Sequence, residues 1–323
     1  MRLSPGIQTL MACMLALAWS ALLLAEPPAT QKPVETDKAA PSKFVRIQRD
    51  AKGQATQLDT AIARYVSAAG DSGLVVDLVS AVHVADRAYY QKLNERFDQY
   101  DVVLYELVAP EGTRIPKGGR RDSDNPIAFL QQLATLVLDL DSQVAQIDYT
   151  RKNFVHADLS PDKMAEAIRS RGDDGLTLFL GIASDVLRQL NRQEQKKKDE
   201  PSAKEPDLDP LSMLIDPDGP AKLKRMMAEQ MEALESPDGG IGNTLGTILI
   251  ADRNKAALRV LQKEIAKGHK KIGIFFGAAH MPDFEKRLRE DFGLRRENVQ
   301  WLTAWDMKAK KRSLLDALKL LED

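Results

Sequence analysis

Leu74-Val75-Val76-Asp77-Leu78-Val79 is a short apolar run that ends four residues before a histidine, His83. Two further runs share its character. Val102-Val103-Leu104-Tyr105-Glu106 closes on a glutamate, and Ile272-Gly273-Ile274-Phe275-Phe276 is followed by His280. All three are rich in β-branched and aromatic residues and short enough for strands buried on both faces. Between the first two, Tyr89, Leu93 and Phe97 recur at helical spacing behind Asp86, a capping residue type. Strand, helix and strand with short connections make a βαβ unit, whose crossover is right-handed and whose strands are parallel. Parallel strands end at one edge of their sheet, where α/β folds collect ligands and catalytic groups. The pattern therefore predicts that His83, Glu106 and His280, remote in sequence, meet at that edge.

Outward from these runs, Phe44-Val45-Arg46-Ile47, a turn at Asp50-Ala51-Lys52-Gly53 and the stretch Thr56 to Tyr65 read as a β-hairpin. The middle of the chain reads as helical. Helices are expected over Pro126 to Asp139, from Ser160-Pro161 through Arg169, over Leu176 to Leu190, over Pro220 to Glu235 and from about Thr244 to Lys267. Asn191 to Pro210, with Lys196-Lys197-Lys198 and three prolines, reads as a flexible charged loop. Pro282 opens a further helix, Val299 to Ala304 is a strand, and Ser313 to Leu321 a closing helix. The expected fold class is α/β, with a helical insertion in the middle of one domain over 44–323.

The formal net charge is −1 over 323 residues. That balance gives no basic excess for nucleic acid, so none is expected as a partner. Met1-Arg2 and the apolar run Leu10 to Ala25 read as a signal peptide or N-terminal anchor over 1–25, followed by a disordered linker over 26–43. Export to the periplasm or the extracellular space is the expectation, with membrane contact only through an uncleaved N-terminal segment. Cys13, the one cysteine, lies inside that segment. A cleaved chain would carry no thiol, which excludes disulfides, thiolate zinc ligands and cysteine nucleophiles together.

Two imidazoles and a carboxylate at one sheet edge form a minimal divalent-metal site. Zinc, manganese and cobalt all accept this nitrogen-plus-carboxylate set. A glutamate closing an apolar strand needs a cation beside it. The cation is either such a metal or an arginine; Arg253 is a candidate, falling on the stripe of Leu249, Ala256 and Val260, and reads otherwise as part of a solvated helix face with Asp252 and Lys255. Glu106 alternatively serves as general base. His156 and Asp158, just before the Ser160-Pro161 cap, are extra ligands, groups supporting the ligands, or turn residues. His269 reads as an exposed residue at a helix C-terminus without a role. No Gly-x-Ser-x-Gly elbow, P-loop, His-Glu-x-x-His helix or calcium loop is present.

Together these residues resemble the TraB/PrgY/GumN superfamily, which includes the Tiki proteins. The hallmark is a pair of Gly-x-x-His motifs near the two ends of the domain, with a glutamate after the second core strand. Gly277-Ala278-Ala279-His280 matches the second motif, and Ser80-Ala81-Val82-His83 matches the first with serine in place of glycine. Arg253-Asn254 is similar to an Arg-Asn pair on the family's late helix. The resemblance implies a central mixed β-sheet flanked by helices, related to the folds of erythromycin esterase and the haem-binding ChaN proteins. Tiki members are metal-dependent peptidases, and PrgY and TraB are linked to shutting down peptide pheromones. The expectation is an exported metal-dependent hydrolase, a peptidase acting on peptides or proteins. It would bind a divalent ion through His83, Glu106 and His280 and act through Glu106, Arg253 and His280. Ser80, His156, Asp158 and Asn254 would stand behind them. The alternative is a non-catalytic protein that sequesters a peptide, a metal or haem in the same cleft. Ser80 would be strained if the motif required a positive φ.

Overall fold

A computed structural model describes residues 43–70, 72–108, 113, 115–116, 118, 140–169, 216, 218–235 and 243–308. The expected signal segment and nearly all of the linker lie outside the described residues. So do the expected helices at Pro126 to Asp139, Leu176 to Leu190 and Ser313 to Leu321, and the charged loop at Asn191 to Pro210.

The elements in chain order are β1 (Val45–Arg49), β2 (Ala55–Ser67), β3 (Val75–Ala81), β4 (Val84–Ala85), α1 (Arg87–Phe97) and β5 (Val102–Tyr105). They continue with β6 (Asp141–Ser142), α2 (Gln143–Gln146), β7 (Phe154–His156), α3 (Pro161–Arg169), α4 (Gly219–Glu235) and α5 (Asn243–Ala266). Then come β8 (Lys271–Gly277), a single 3₁₀ turn at Ala278–His280, α6 (Met281–Glu290) and β9 (Leu294–Asp306). Seven strands form one mixed sheet in the order β1-β2-β3-β8-β5-β7, with β9 also pairing β2; β4 and β6 make a separate two-stranded ladder. The β1-β2 hairpin is antiparallel, as are the pairings of β2 with β3 and with β9. The four strands β3, β8, β5 and β7 are parallel.

Helices cover both faces, giving three layers with a core on each side of the sheet. On one side Tyr89, Tyr90, Leu93 and Phe97 of α1 pack on Val79, Val103 and Phe275. The Phe97 ring meets Phe275 edge-on at 4.9 Å and Phe154 at 5.3 Å, contacts worth about 0.5–1.5 kcal/mol each beyond area burial. On the other side Ala257, Leu258 and Leu261 of α5 and Met281, Phe284 and Leu288 of α6 pack on Val76, Leu78, Leu104, Ile272 and Ile274. The period of two along each strand sends neighbours to opposite cores, so the continuous apolar runs are strands buried on both faces.

Asp77, the one charge inside the first run, is fully buried. Its carboxylate takes two bonds from Arg64 (2.9 and 3.1 Å), one from Arg96 (3.0 Å) and one from the Tyr100 hydroxyl (2.8 Å), which compensates its desolvation.

The structure departs from the sequence expectations at several points. Asp86 occupies the N-cap position of α1 but its side chain does not cap the helix. It accepts instead from Lys224 Nζ (2.8 Å) and from the Asp306 amide (2.6 Å), tying α4 and β9 to the start of α1. His269 is not a free surface residue, because its Nδ1 lies 3.0 Å from Glu264 Oε2. β9 is longer than expected, running as the partner of β2 from Leu294 to Asp306. β7 has no strand-like apolar run of its own. No helix among the described residues is long and apolar enough to cross a membrane.

Candidate active site

The parallel register brings the chemistry to one edge. Ala81 of β3 pairs with Gly277 of β8, Tyr105 of β5 pairs with Phe275 of β8, and Tyr105 pairs with His156 of β7. His83, Glu106, His156 to Asp158 and the Ala278–His280 turn therefore leave four adjacent strands on the same side. Glu106 still belongs to the ladder, its amide donating to the Phe275 carbonyl (3.1 Å).

Glu106 is surrounded by donors. Oε2 accepts from the Gly277 amide at 2.6 Å, and Oε1 accepts from Arg253 Nη2 at 2.5 Å. Arg253 also grips Asp158 through Nε (2.9 Å) and Nη2 (2.6 Å). One guanidinium on α5 thus bridges two carboxylates leaving β5 and β7. Burial alone would push the Glu106 carboxyl up. With a proton on His280 Nε2, the attraction and hydrogen bond of that ring, followed by Arg253 and His83, outweigh it and hold the group well below the usual carboxylate range. For Arg253, burial works against the charged form, and its bonds to Asp158 and Glu106 more than reverse this and raise its pKa.

His280 is fully buried. Its ring lies edge-on to Phe276 (5.3 Å) and its Nδ1 is 2.6 Å from Asn254 Oδ1. The Asn254 amide settles the tautomer. Its Nδ2 donates both to the His280 carbonyl (3.0 Å) and to Asp283 Oδ2 (2.8 Å), two groups that only accept. Oδ1 is therefore the acceptor, and Nδ1 of His280 carries the proton. In the neutral ring Nε2 is left as a lone pair. That atom is buried, has no hydrogen-bond partner and stands 3.5 Å from Glu106 Oε1. Two acceptors held this close require a cation between them, either a proton on Nε2 or a metal ion.

The residues fit a metal in part. Two ligands at about 2.1 Å from one tetrahedral ion stand about 3.4 Å apart, which is the separation of Nε2 and Oε1. A hydrogen bond from the distal ring nitrogen to a fixed acceptor is the usual support of a metal-binding histidine. Glu106 uses two of its roughly four lone-pair directions on Gly277 and Arg253, so Oε1 retains one for an ion. Against this, among the described residues no group of three His, Cys, Asp or Glu side chains is assembled to hold a metal ion.

His83 stays half-buried at the edge. It lies within electrostatic range of Glu106, and no ion pair joins the two. His156 turns away, its Nε2 donating to the Leu107 carbonyl (2.6 Å) and its ring packing on Tyr105. Ser80 lies inside β3, in extended backbone, so serine is accommodated there without strain. Gly277 also has a negative φ, −55°, and what it contributes to Glu106 is its amide. The contact cluster is thus Glu106, Arg253, Asp158, Asn254 and His280, with His83 and Ser80 beside it and His156 apart.

Sequence reasoning missed three participants. Asp283, which holds Asn254, was legible only as an acidic residue in the first turn of a helix. Gln143, whose main-chain amide donates to the His83 carbonyl (2.8 Å), and Tyr149, whose ring packs on Tyr105, lie in a segment without strong periodicity. Of the six buried side-chain atoms without a partner among the described residues, three (Ser80 Oγ, Gln143 Oε1 and His280 Nε2) belong to residues at or next to this edge. Native interiors leave few such atoms unpaired, so three of them at one edge make it the candidate site. No family model matches the chain, and neither does any curated protein or solved structure.

Proposed function

We propose that the chain is an exported hydrolase of peptides or proteins that works with a divalent metal ion, zinc, manganese or cobalt, and has the sheet architecture of the TraB/GumN superfamily and of its erythromycin esterase and ChaN relatives. The observation that carries the reading is the buried His280 Nε2, which has no hydrogen-bond partner and stands 3.5 Å from Glu106 Oε1, while Asn254 holds Nδ1 as the donor. His280 and Glu106 would hold the ion, with His83 the third ligand from the neighbouring strand end. When bound, such an ion polarises a scissile carbonyl and acidifies water.

The chain's own residues supply the rest. Glu106, kept ionised by Arg253 and the Gly277 amide, presents a fixed negative charge for the ion to bind; general base is its alternative role should the ion be held without it. Arg253, locked by Asp158, keeps a fixed positive charge beside the place where negative charge develops. Asn254 holds the imidazole in one orientation. The N-terminal apolar run is the support for export.

The test is turnover of a fluorogenic peptide library by the purified protein supplied with zinc, manganese or cobalt. Cleavage that is abolished by chelator, by His280→Ala and by Glu106→Gln is the expected result. Peptide or haem binding that survives His280→Ala, with no cleavage by any metal form, would replace the hydrolase with a sequestering protein.

A further inference from the structure

We infer that Asp283 is a positioning residue of this site: by accepting from Asn254 it holds the His280 ring in the tautomer whose Nε2 is free to take a metal ion. The inference rests on the metal-hydrolase reading and extends it to what makes the histidine ready for the ion.

The His280 ring is fixed in place. It is fully buried and lies between the rings of Phe276 (5.3 Å) and Phe284 (6.2 Å). What remains variable is which nitrogen carries the proton of the neutral ring, and that follows the way the Asn254 amide faces. With Oδ1 toward the ring at 2.6 Å, the proton sits on Nδ1. Turned over, Asn254 would donate to Nδ1 and the proton would move to Nε2, where Glu106 Oε1 stands 3.5 Å away. That second arrangement pairs His280 with Glu106 and leaves no lone pair for an ion. A metal-binding site must therefore hold Asn254 against it.

Two acceptors do so, the His280 carbonyl (3.0 Å) and Asp283 Oδ2 (2.8 Å), both taking from Asn254 Nδ2. Asp283 is the one of the two supplied by a side chain. Its Oδ2 also accepts from Arg287 Nε at 2.8 Å, one turn further along α6. Asp283 lies in the first turn of that helix, where the helix dipole favours a negative charge. An ionised carboxylate can only accept, so turning Asn254 over would set its oxygen against that charge. Arg287 thus anchors Asp283, Asp283 anchors Asn254 on α5, and Asn254 sets the proton on the ring.

The experiment reads the tautomer directly, in the metal-free full chain. Long-range proton–nitrogen correlation spectra of protein carrying isotope-labelled histidine are recorded at a pH where the ring is neutral, for the wild type, Asp283→Ala and Asp283→Asn. The chain has four histidines, and the His280 signals are those missing in His280→Gln. Calorimetric titration with zinc and with manganese follows, and thermal melts establish that each variant is folded. The expected wild-type ring carries its proton on Nδ1, and the form protonated on Nε2 appears in Asp283→Ala. Metal affinity falls about tenfold in Asp283→Ala, as for the loss of a group supporting a ligand. Asp283→Asn restores both, because Asn254 and Arg287 donate to a single oxygen that asparagine also offers. A merely structural aspartate would lower the melting temperature and leave the tautomer unchanged. The inference is overturned if Asp283→Ala keeps the proton on Nδ1 alone, if the wild-type ring already carries it on Nε2, or if Asp283→Asn behaves as Asp283→Ala does. A tautomer that follows Asp283 in a protein binding neither metal would defeat the metal-hydrolase reading and leave the Asp283 contact standing. Metal bound equally by all three forms, with one tautomer throughout, would do the reverse.

Discussion

Asn254 does more to define the chemistry of the edge than its modest size suggests. By giving both amide hydrogens to acceptors it turns its oxygen toward Nδ1 of His280, and so leaves Nε2 free to face Glu106. Asn254→Ala removes three hydrogen bonds at once, two of them fully buried. Metal affinity, measured by calorimetric titration, is expected to fall about 10- to 100-fold, the range for losing the group that orients a ligating histidine. Asn254→Asp is expected to be no rescue, because an ionised acid repels both Asp283 and the His280 carbonyl. Arg253 plays the complementary part, pairing with Asp158 and Glu106 at once. Arg253→Leu leaves two inward-facing carboxylates unpaired. It is expected to cost about 3–5 kcal/mol in urea unfolding at neutral pH, the range for a broken buried pair. A near-neutral result would mean that the carboxylates are held by something else.

β3, β5 and β8 were legible because their apolar runs are continuous, and a parallel sheet demands that continuity. β7 was not, since Phe154-Val155-His156 is three residues long and takes its strand character from pairing with β5. The same limit hid Gln143 and Tyr149, whose positions come from packing of a loop and a single helical turn on a distant strand end. Asp86 misled for a related reason: it is a good capping residue by type, but a buried lysine 138 positions away claims its carboxylate. Close packing between elements also leaves testable marks. Gly273 in β8 faces Tyr100, and an added Cβ would stand 3.0 Å from Tyr100 Cδ2 and Cε2. Gly273→Ala is expected to destabilise by about 1–3 kcal/mol, as overpacking does, readable as a lowered urea midpoint. At the start of β8, Asp101 receives the amides of Lys270 and Lys271 at 2.8 Å each. Those bonds favour the ionised carboxyl and lower its pKa below the ordinary 3.8. Their contribution to stability is present in full above that ordinary value and is lost as pH falls through the lowered one. Thermal melts should show this acid loss in the wild type and less of it in Asp101→Asn. Equal acid sensitivity in both would contradict the assignment.

The molecule is a three-layer α/β body in which four parallel strands deliver their C-terminal ends to one edge, while the hairpin and β9 extend the sheet on the far side. The convergence of strand ends followed from the sequence, because strand, helix and strand in succession fix direction. The direct contacts did not. Pairing of Arg253 with both Asp158 and Glu106 depends on where α5 crosses the sheet, and no periodicity encodes that crossing. The central claim is that His280 Nε2 and Glu106 Oε1 share one cation and that this cation is a metal. Its most direct measurement is the metal content and affinity of the purified full-length protein, by elemental analysis and by titration with zinc and manganese, beside His83→Ala, Glu106→Gln and His280→Ala. One ion per chain, lost in Glu106→Gln and His280→Ala and weakened in His83→Ala, is the expected result. No ion in the wild type, or an ion retained at full affinity when His280 is replaced, would contradict it and leave a buried proton as the bridge between these two groups.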